Sequence, residues 1–210
     1  MYAASAFRQD NVSELHAMMQ AIGFATIAAN GPDGLIAAHI PLILNENDNR
    51  TVTLRGHVSR ANPFWRVVGA GMEVLAVFVG PNHYVSPGWY PSKRDHGRVV
   101  PTWNYVAVHA AARATAIDDS SWLHAHVAAL SKRHETAMPA PWAVTDAPED
   151  YIAKMIQGIV GLELAISKLE GIKKLSQNRS EDDRAGVITG LETQDDANAA
   201  SIASLMRPRD

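Results

Sequence analysis

Cysteine is absent from the 210-residue sequence. Disulfide bonds and thiol chemistry are therefore excluded. Long apolar runs are also missing, because no segment approaches the roughly 18 consecutive apolar residues that a membrane helix needs. The N-terminus lacks a basic region followed by an apolar stretch and a small-residue cleavage site. From these absences we expect a cytoplasmic protein with no membrane partner.

An excess of positive charge is missing too. The chain carries 19 Lys and Arg residues against 22 Asp and Glu residues, which gives a net charge of -3. Such a chain has no broad attraction to nucleic-acid phosphates. Hydrophobic residues make up 47% of the chain and charged residues 20%, which is ordinary for a globular protein. This length supports one sizeable core, so we expect a single domain over residues 1–210.

The segment from Gly80 to Tyr105 stands out by its prolines and aromatic residues. Proline fixes φ and lacks the backbone N–H, so we expect a shaped loop here and neither a helix nor a central strand. Two tryptophans and three tyrosines in this loop carry apolar area that normally seeks a core or a planar partner. The alternative is a structural loop whose aromatic side chains cover a sheet edge. Long loops in compact domains are, however, commonly functional.

Periodicity and capping residues predict the elements on either side of this loop. Helices are expected at 11–22, 64–68, 149–157 and 196–206, and two more begin near Asp118 and Ser180. Strands are expected at 24–29, 35–44, 51–57, 73–79, 103–117 and 160–167, with turns at 30–34 and 45–50 and a bend at 169–178. The first two strands form a hairpin, because glycine, proline and Asx residues separate them. Together these elements predict a mainly β protein with flanking helices.

Motifs for covalent or metal chemistry are missing from the sequence. It contains no glycine-rich phosphate loop, no nucleophile elbow and no paired-histidine zinc motif. His124 and His126 lie two positions apart on a predicted helix, where side chains do not face each other, so no shared metal is expected. His83 and His109 are interpreted as hydrogen-bonded structural residues. We therefore assign no metal site and no catalytic residue.

Cations, hydroxyls and amides are instead spread over three segments, at 57–62, at 93–104 and at 174–179. Arginine forms two-point hydrogen bonds with phosphate, hydroxyls complete a phosphate shell, and Asn or Gln can contact the edge of a planar heterocycle. A phosphorylated aromatic cofactor would use all three types, although each residue alone could be a surface charge or a helix cap. The candidate cofactor-binding residues are His57, Ser59, Arg60, Lys93, Thr102, Trp103, Asn104, Lys174 and Gln177.

Five motifs resemble those of the PaiB family of FMN-binding negative transcriptional regulators. They are GHVSRANP at 56–63, GPNHYVSPGWY at 80–90, VPTWNYVAVH at 100–109, IVG at 159–161 and KKLSQNR at 173–179. They occur in the same order as in that family and extend over nearly the whole chain.

The resemblance implies an FMN-binding split β-barrel of the pyridoxamine-phosphate-oxidase type. It also implies a homodimer with flavin sites at the subunit interface, and a negative regulatory role in protease production and sporulation. DNA enters as a partner through this resemblance alone. Family pattern and side-chain chemistry together assign the FMN phosphate to Ser59 and Arg60, with Lys174 and Gln177 as contributors and Arg60 as the anchor.

Three functions are compatible with the sequence. The first is an FMN-binding regulator or sensor. The second is an FMN-dependent oxidoreductase in which the flavin performs the chemistry and His83 or Tyr84 supplies a proton. The third is a haem-binding split barrel, since the chain has nine histidines. The absorption spectrum of the purified protein distinguishes flavin from haem.

Overall fold

Strands dominate the computed structural model, which describes residues 1–46 and 52–208. The strands are β1 (Arg8–Gln9), β2 (Phe24–Gly31), β3 (Gly34–Pro41), β4 (Ile43–Glu46), β5 (Val52–Ser59), β6 (Ala70–Val85), β7 (Thr102–Ile117) and β8 (Ile159–Lys174). The helices are α1 (Val12–Ile22), α2 (Phe64–Val68), α3 (Ser92–Asp95), α4 (Ser120–Glu135), α5 (Glu149–Gln157), α6 (Glu181–Glu192) and α7 (Ala197–Met206). Short 3₁₀ turns lie at Ser5–Phe7, Pro87–Trp89 and Val144–Asp146.

The strands form one sheet in the order β3-β2-β6-β7-β8-β5-β4, with β1 paired to β8. β2 and β3 form the predicted hairpin, and their antiparallel register places Gly31 opposite Gly34. The predicted strand at 35–44 is wrong in one respect, because it is broken at Leu42. Pro41 has no N–H to continue the ladder, and the Leu42 N–H donates to the Gly23 carbonyl at 2.7 Å instead. The predicted turn at 45–50 is wrong for residues 45–46, which belong to β4, while residues 47–50 of that turn and residue 51 of the predicted strand at 51–57 lie outside the described residues.

The proline-rich loop is shorter than the sequence predicts. β6 continues through Pro81 to Val85, and β7 begins at Thr102. β6 lies between β2 and β7 in the sheet, and its pairing with β2 covers Leu75–Val77, so the missing N–H of Pro81 breaks no hydrogen bond to β2. The prediction of a loop from Gly80 onward is therefore wrong for its first six residues.

β8 also differs from its prediction, because it extends to Lys174 where a bend from 169 was expected. Consecutive lysines near its end have low β propensity and hide the strand in the sequence. Tertiary pairing overrides that preference, since Ile172 pairs with Arg8 of β1 and is buried. The bend begins at Leu175.

The described chain divides into two compact units. The first contains Met1–Met18, Val79–His109 and the chain from Glu170, and the second contains Met19–Phe78 and Ala110–Leu169. The expectation of a single domain stays a prediction. None of the helices in the described part of the chain has both the length and the apolar composition of a membrane-spanning segment. The core of the first unit is formed by Val85, Tyr90, Val106, Leu175, Val187, Leu191, Ala199, Ile202, Ala203 and Met206.

Candidate functional site

A basic cavity lies in the first unit, between the start of β7, the end of β8 and the bend that follows. Its volume is about 260 Å³. Among the described residues that line it, Lys174 and Arg179 are cationic and none is acidic. This charge balance favours an anionic ligand. The lining residues are Phe7, Tyr90, Val100, Thr102, Asn104, Lys174, Ser176, Asn178 and Arg179.

β7 supplies two polar groups to the basic cavity. Thr102 and Asn104 are two positions apart on the strand, so their side chains share one face, while Trp103 points to the other. The Lys174 ammonium donates to the Thr102 hydroxyl at 2.6 Å, which holds the cation at the cavity. Asn104 is fully buried, and its amide nitrogen donates to the Ser176 hydroxyl at 3.0 Å.

The bend after β8 is backbone-strained at Ser176, whose φ is 61°. Non-glycine residues seldom adopt this left-handed conformation, and strain of this kind persists where surrounding contacts determine the backbone. Gln177 provides one such contact, because its side-chain oxygen accepts from the Leu175 N–H at 2.7 Å. A further bond runs from the Arg179 N–H to the Ser176 carbonyl at 3.0 Å. Gln177 therefore shapes the bend and does not line the cavity.

Tyr90 and Arg179 form the aromatic side of the basic cavity. The Arg179 guanidinium carbon lies 4.8 Å from the centre of the Tyr90 ring, in a cation–π contact. Tyr90 is only 2% exposed, and its hydroxyl has no hydrogen-bond partner among the described residues. Neither residue belongs to the predicted set, although both fall inside motifs that carry the family resemblance. Their packing joins distant segments, which no local pattern reveals.

α6 fixes the loop that carries Tyr90. Trp89 lies against Gly190, where an added Cβ would stand 2.3 Å from Trp89 Cδ2. The backbone of Trp89 also approaches Gly186, where an added Cβ would be 2.1 Å from the Trp89 carbonyl oxygen. On the other side of Tyr90, Ser92 donates to the buried Asp183 carboxylate through its N–H at 3.1 Å and its hydroxyl at 2.8 Å. The residues on both sides of Tyr90 in the sequence are therefore held by contacts with α6.

His83 has a defined tautomer. Its Nδ1 lies 2.6 Å from the Tyr84 carbonyl oxygen, and because a carbonyl only accepts, Nδ1 carries the proton. The ring also stacks on Trp89, with centroids 6.4 Å apart. On the opposite face of β6, Tyr84 meets Trp103 edge-on at 6.2 Å, and Trp103 Nε1 donates to Asn82 at 3.2 Å. In its neutral form His83 thus has an acceptor at Nε2.

Arg60, the predicted phosphate anchor, lies in the second unit and is engaged by the protein. Its Nη1 and Nη2 donate to the two Asp118 carboxylate oxygens at 2.9 and 2.5 Å. Nε and Nη2 also donate to the carbonyls of Gln157 and Ile159, at 2.7 and 3.0 Å. The hydrogen bond from Arg60 lowers the pKa of Asp118. Ser59 is exposed, and its hydroxyl accepts from the Ala61 N–H at 3.3 Å.

The half-buried His57 pairs with the buried His126 in the second unit. Its Nδ1 lies 3.1 Å from Nε2 of His126, and Trp122 stacks on His126 at 5.2 Å. Burial lowers the pKa of His126 to about 4, and the positive charges of His57 and Arg55 act in the same direction. The pKa of His57 is lowered by burial. His57 is therefore tied to the docking of α4.

Two further cavities occur in the second unit, with volumes of about 770 and 340 Å³. Glu149 is the one acidic or basic residue apart from His124 among the described residues that line the larger cavity. Lys132 and Glu135 balance each other along the smaller one. Neither lining has the excess of cations found in the basic cavity. No group of three or more His, Cys, Asp or Glu residues suited to a metal ion occurs within 1–46 and 52–208.

Comparison with known proteins defines the family. Residues 1–168 match a protein family described as "Putative FMN-binding domain". The chain belongs to this family. It is also 31% identical over 209 residues to the Protease synthase and sporulation protein PAI 2 of Bacillus subtilis (strain 168), covering 100% of this chain and 98% of that protein. The predicted PaiB resemblance is confirmed, and membership of the FMN-binding family supports FMN as the cofactor.

Solved structures share the fold. The FAD and haem binding protein from Mycobacterium smegmatis superimposes with a TM-score of 0.59 at 15% identity, covering 85% of this chain and 78% of that one. The flavocytochrome Anf3 from Azotobacter vinelandii gives a TM-score of 0.56 at 13% identity, covering 85% and 74%. The fold class predicted for this chain, mainly β with flanking helices, is confirmed.

The basic cavity fits one end of FMN. Two cations, a hydroxyl donor and the amide of the exposed Asn178 match the oxygen atoms of a phosphate monoester. Its volume of about 260 Å³ is below the roughly 300–1,000 Å³ of pockets that enclose a whole ligand, so it suits the phosphate end and not the entire cofactor. Thr102, Asn104 and Lys174 of the predicted set line it.

The other predicted residues lie elsewhere. Lys93, Trp103 and Gln177 belong to the first unit but are not among the residues that line the basic cavity. His57, Ser59 and Arg60 belong to the second unit. Their contact with FMN stays a prediction.

Proposed function

We propose that this chain binds FMN with the phosphate in the basic cavity. The observation that carries the proposal is the pairing of Lys174 and Arg179 around a cavity whose described lining has no acidic residue. Lys174 supplies a point charge beside the Thr102 hydroxyl, and Arg179 presents a planar guanidinium held over the Tyr90 ring. The two cations only donate hydrogen bonds, and the hydroxyl can donate as well as accept. A phosphate, whose oxygen atoms are acceptors, requires such donors.

A second copy of the chain is part of this proposal. The basic cavity encloses less than a whole FMN, so further surface must cover the isoalloxazine ring. Trp103 is 49% exposed and Tyr84 is 43% exposed, and hydrogen bonding to Asn82 orients the Trp103 ring. Ordered, exposed aromatic side chains are typical anchors of protein interfaces. We therefore propose a homodimer, which light scattering at micromolar concentration tests; the cytoplasmic location is proposed from the sequence alone.

The biological role that we propose is negative regulation, the role implied by the PaiB resemblance. FMN, when bound, supplies a redox-active ring whose state a regulator can report. The net charge of -3 disfavours direct attraction to the DNA backbone, so we propose that the regulatory output passes through another partner. Binding of the FMN-loaded protein to duplex DNA in fluorescence anisotropy, at physiological salt, would contradict this part.

His83 favours an FMN-dependent oxidoreductase as the second candidate function. Its Nδ1–H is fixed on the Tyr84 carbonyl, so Nε2 is oriented to accept or return a proton. In this case one nicotinamide electron donor is oxidised for each bound FMN that is reduced, and His83→Gln slows this reaction. Equally slow oxidation of the nicotinamide donor by wild type and by His83→Gln favours the regulatory function.

Titration with FMN and riboflavin tests the binding site. A charge-assisted hydrogen bond contributes about 1.5–3 kcal/mol, so Lys174→Ala is expected to weaken FMN binding roughly tenfold to a hundredfold. Riboflavin lacks the phosphate and is expected to bind both proteins equally. Lys154→Ala, on the exposed side of α5, is the matched control. Equal FMN affinities in wild type and Lys174→Ala would overturn the phosphate assignment, and a Soret band in the purified protein would indicate haem.

A further inference from the structure

We propose that Tyr90 determines specificity at the basic cavity, by donating a hydrogen bond from its hydroxyl to the phosphate of the bound ligand. The inference rests on the proposed function and adds a residue that the sequence analysis did not assign to the cofactor. It also makes the cavity selective for phosphate esters over ligands that end in a neutral hydroxyl group.

The first observation is the unpaired hydroxyl itself. Tyr90 lines the cavity, is 2% exposed, and has no partner for its hydroxyl among the described residues. Folded proteins pair the great majority of buried polar side-chain atoms, so an unpaired buried hydroxyl requires an explanation. A ligand that brings an acceptor into the cavity supplies one.

No protein acceptor pairs with the Tyr90 hydroxyl among the described residues. Tyr90 packs in the apolar core of the first unit with Val85, Val106 and Leu175, which have no side-chain acceptor. The cation above its ring, Arg179, only donates. Lys174 also only donates, and the Thr102 hydroxyl beside it already accepts from that ammonium, so neither cation offers an acceptor. A phosphate has several, and it can accept from Tyr90 and both cations at once.

The second observation is that the loop around Tyr90 is pre-organised. Trp89 occupies the notch at Gly186 and Gly190, and Ser92 is bound to the buried Asp183 carboxylate. The Tyr90 carbonyl also accepts from the Lys93 N–H at 3.1 Å. A side chain held in this way loses little conformational freedom when a ligand binds, which increases the selectivity of its hydrogen bond.

A merely structural tyrosine predicts a different outcome. If a trapped water molecule pairs the hydroxyl, Tyr90→Phe lowers the stability of the ligand-free protein and leaves FMN affinity unchanged. If the hydroxyl is kept for the ligand, Tyr90→Phe removes an unpaired buried group, so ligand-free stability stays equal or rises while FMN affinity falls. Only in the second case does FMN affinity fall without a loss of ligand-free stability.

The experiment uses the full chain as wild type, Tyr90→Phe and the control Tyr105→Phe. Tyr105 follows Asn104 on β7 and is not among the residues that line the cavity. Thermal unfolding without FMN and titration with FMN and riboflavin are measured for all three. We expect an unchanged or raised melting temperature for Tyr90→Phe, an FMN affinity lower by about tenfold, and unchanged riboflavin affinity.

The outcomes separate this inference from the proposed function. FMN binding to wild type with equal affinity for Tyr90→Phe would overturn the role of Tyr90 alone. Equal losses of FMN and riboflavin affinity would also overturn it, because the hydroxyl would then not act on the phosphate. If wild type binds no FMN, the proposed function fails and this inference fails with it.

Discussion

Arg60 and Asp118 form a two-point ion pair, with Nη1 to Oδ2 at 2.9 Å and Nη2 to Oδ1 at 2.5 Å. Two backbone carbonyls accept from the same guanidinium, which leaves one of its five N–H groups without one of these bonds. An arginine bound in this way connects the end of β5 with the end of α5, the first residue of β8 and the segment before α4. A free phosphate anchor would keep more donors available.

Arg60→Ala is therefore expected to lower the melting temperature and to leave FMN affinity within about threefold of wild type. The sequence alone predicts the reverse, a tenfold to hundredfold loss of affinity with the fold intact. Thermal unfolding and FMN fluorescence quenching on the same sample decide between them. Asp118→Asn is the companion variant, because it removes the ion pair without touching any residue predicted to bind FMN.

Lys93→Ala tests a second predicted contact. Lys93 is exposed on α3 and is absent from the described lining of the basic cavity. FMN affinity is expected to stay within about twofold of wild type, since surface charges are largely screened at physiological salt. Isothermal titration at low and physiological ionic strength measures this. A tenfold loss at physiological salt would place Lys93 at the cofactor.

Acid is expected to destabilise the fold through the histidine pair. The folded-state pKa of His126 is about 4, below the ordinary 6.5, so between these values the unfolded chain binds the proton and the folded chain does not. Stability is therefore lost as pH falls from about 6.5 to about 4, by at most about 3 kcal/mol. The lowered pKa of His57 acts in the same direction.

Urea unfolding at pH 7.5 and pH 5 checks this sign. His126→Leu is expected to be less stable than wild type at pH 7.5. Its free energy of unfolding should differ much less between pH 7.5 and pH 5 than that of wild type. His124 lies two residues earlier on α4 and is exposed, so His124→Leu should keep the pH dependence of wild type. Equal pH dependence in wild type and His126→Leu would show that another group titrates.

Gly190→Ala is expected to destabilise the first unit by about 1–3 kcal/mol, because the new methyl group overlaps the Trp89 ring. Displacement of Trp89 also moves Tyr90, so FMN affinity should fall with stability. Thr189→Ala, at the neighbouring exposed position of α6, controls for helix propensity. Denaturant unfolding together with the Trp emission maximum reports both effects. A Gly190→Ala protein as stable as Thr189→Ala would show that the close contact between Trp89 and Gly190 does not exclude a methyl group.

Local chemistry made most elements predictable. Asn11, Asp119 and Ser180 precede helices, and each side chain accepts the backbone N–H expected of an N-cap. α5 occupies the predicted residues 149–157, because Pro148 and Gly158 bound it. Elements decided by tertiary pairing were missed, as in the extension of β6 through Pro81 and of β8 to Lys174.

The residues of the candidate site could likewise be predicted only in part. Lys174 and Thr102 were predicted from their functional groups, and they meet at 2.6 Å. Tyr90 and Arg179 escaped prediction, since their value lies in burial and in a contact between distant segments. His57 was predicted from its neighbours in sequence, yet its side chain pairs with that of His126, 69 residues away. Residue type indicates possible ligands, but burial and long-range pairing decide which of them remain available.

The left-handed backbone of Ser176 makes position 176 informative in a saturation library. Selection for folding alone should retain glycine, asparagine and aspartate beside serine, because these residues tolerate positive φ. Selection for FMN retention should narrow the survivors, since the hydroxyl that bonds Asn104 holds the buried amide at the cavity wall. The residues enriched in the first selection and depleted in the second would separate the conformational demand on this position from its contribution to the ligand.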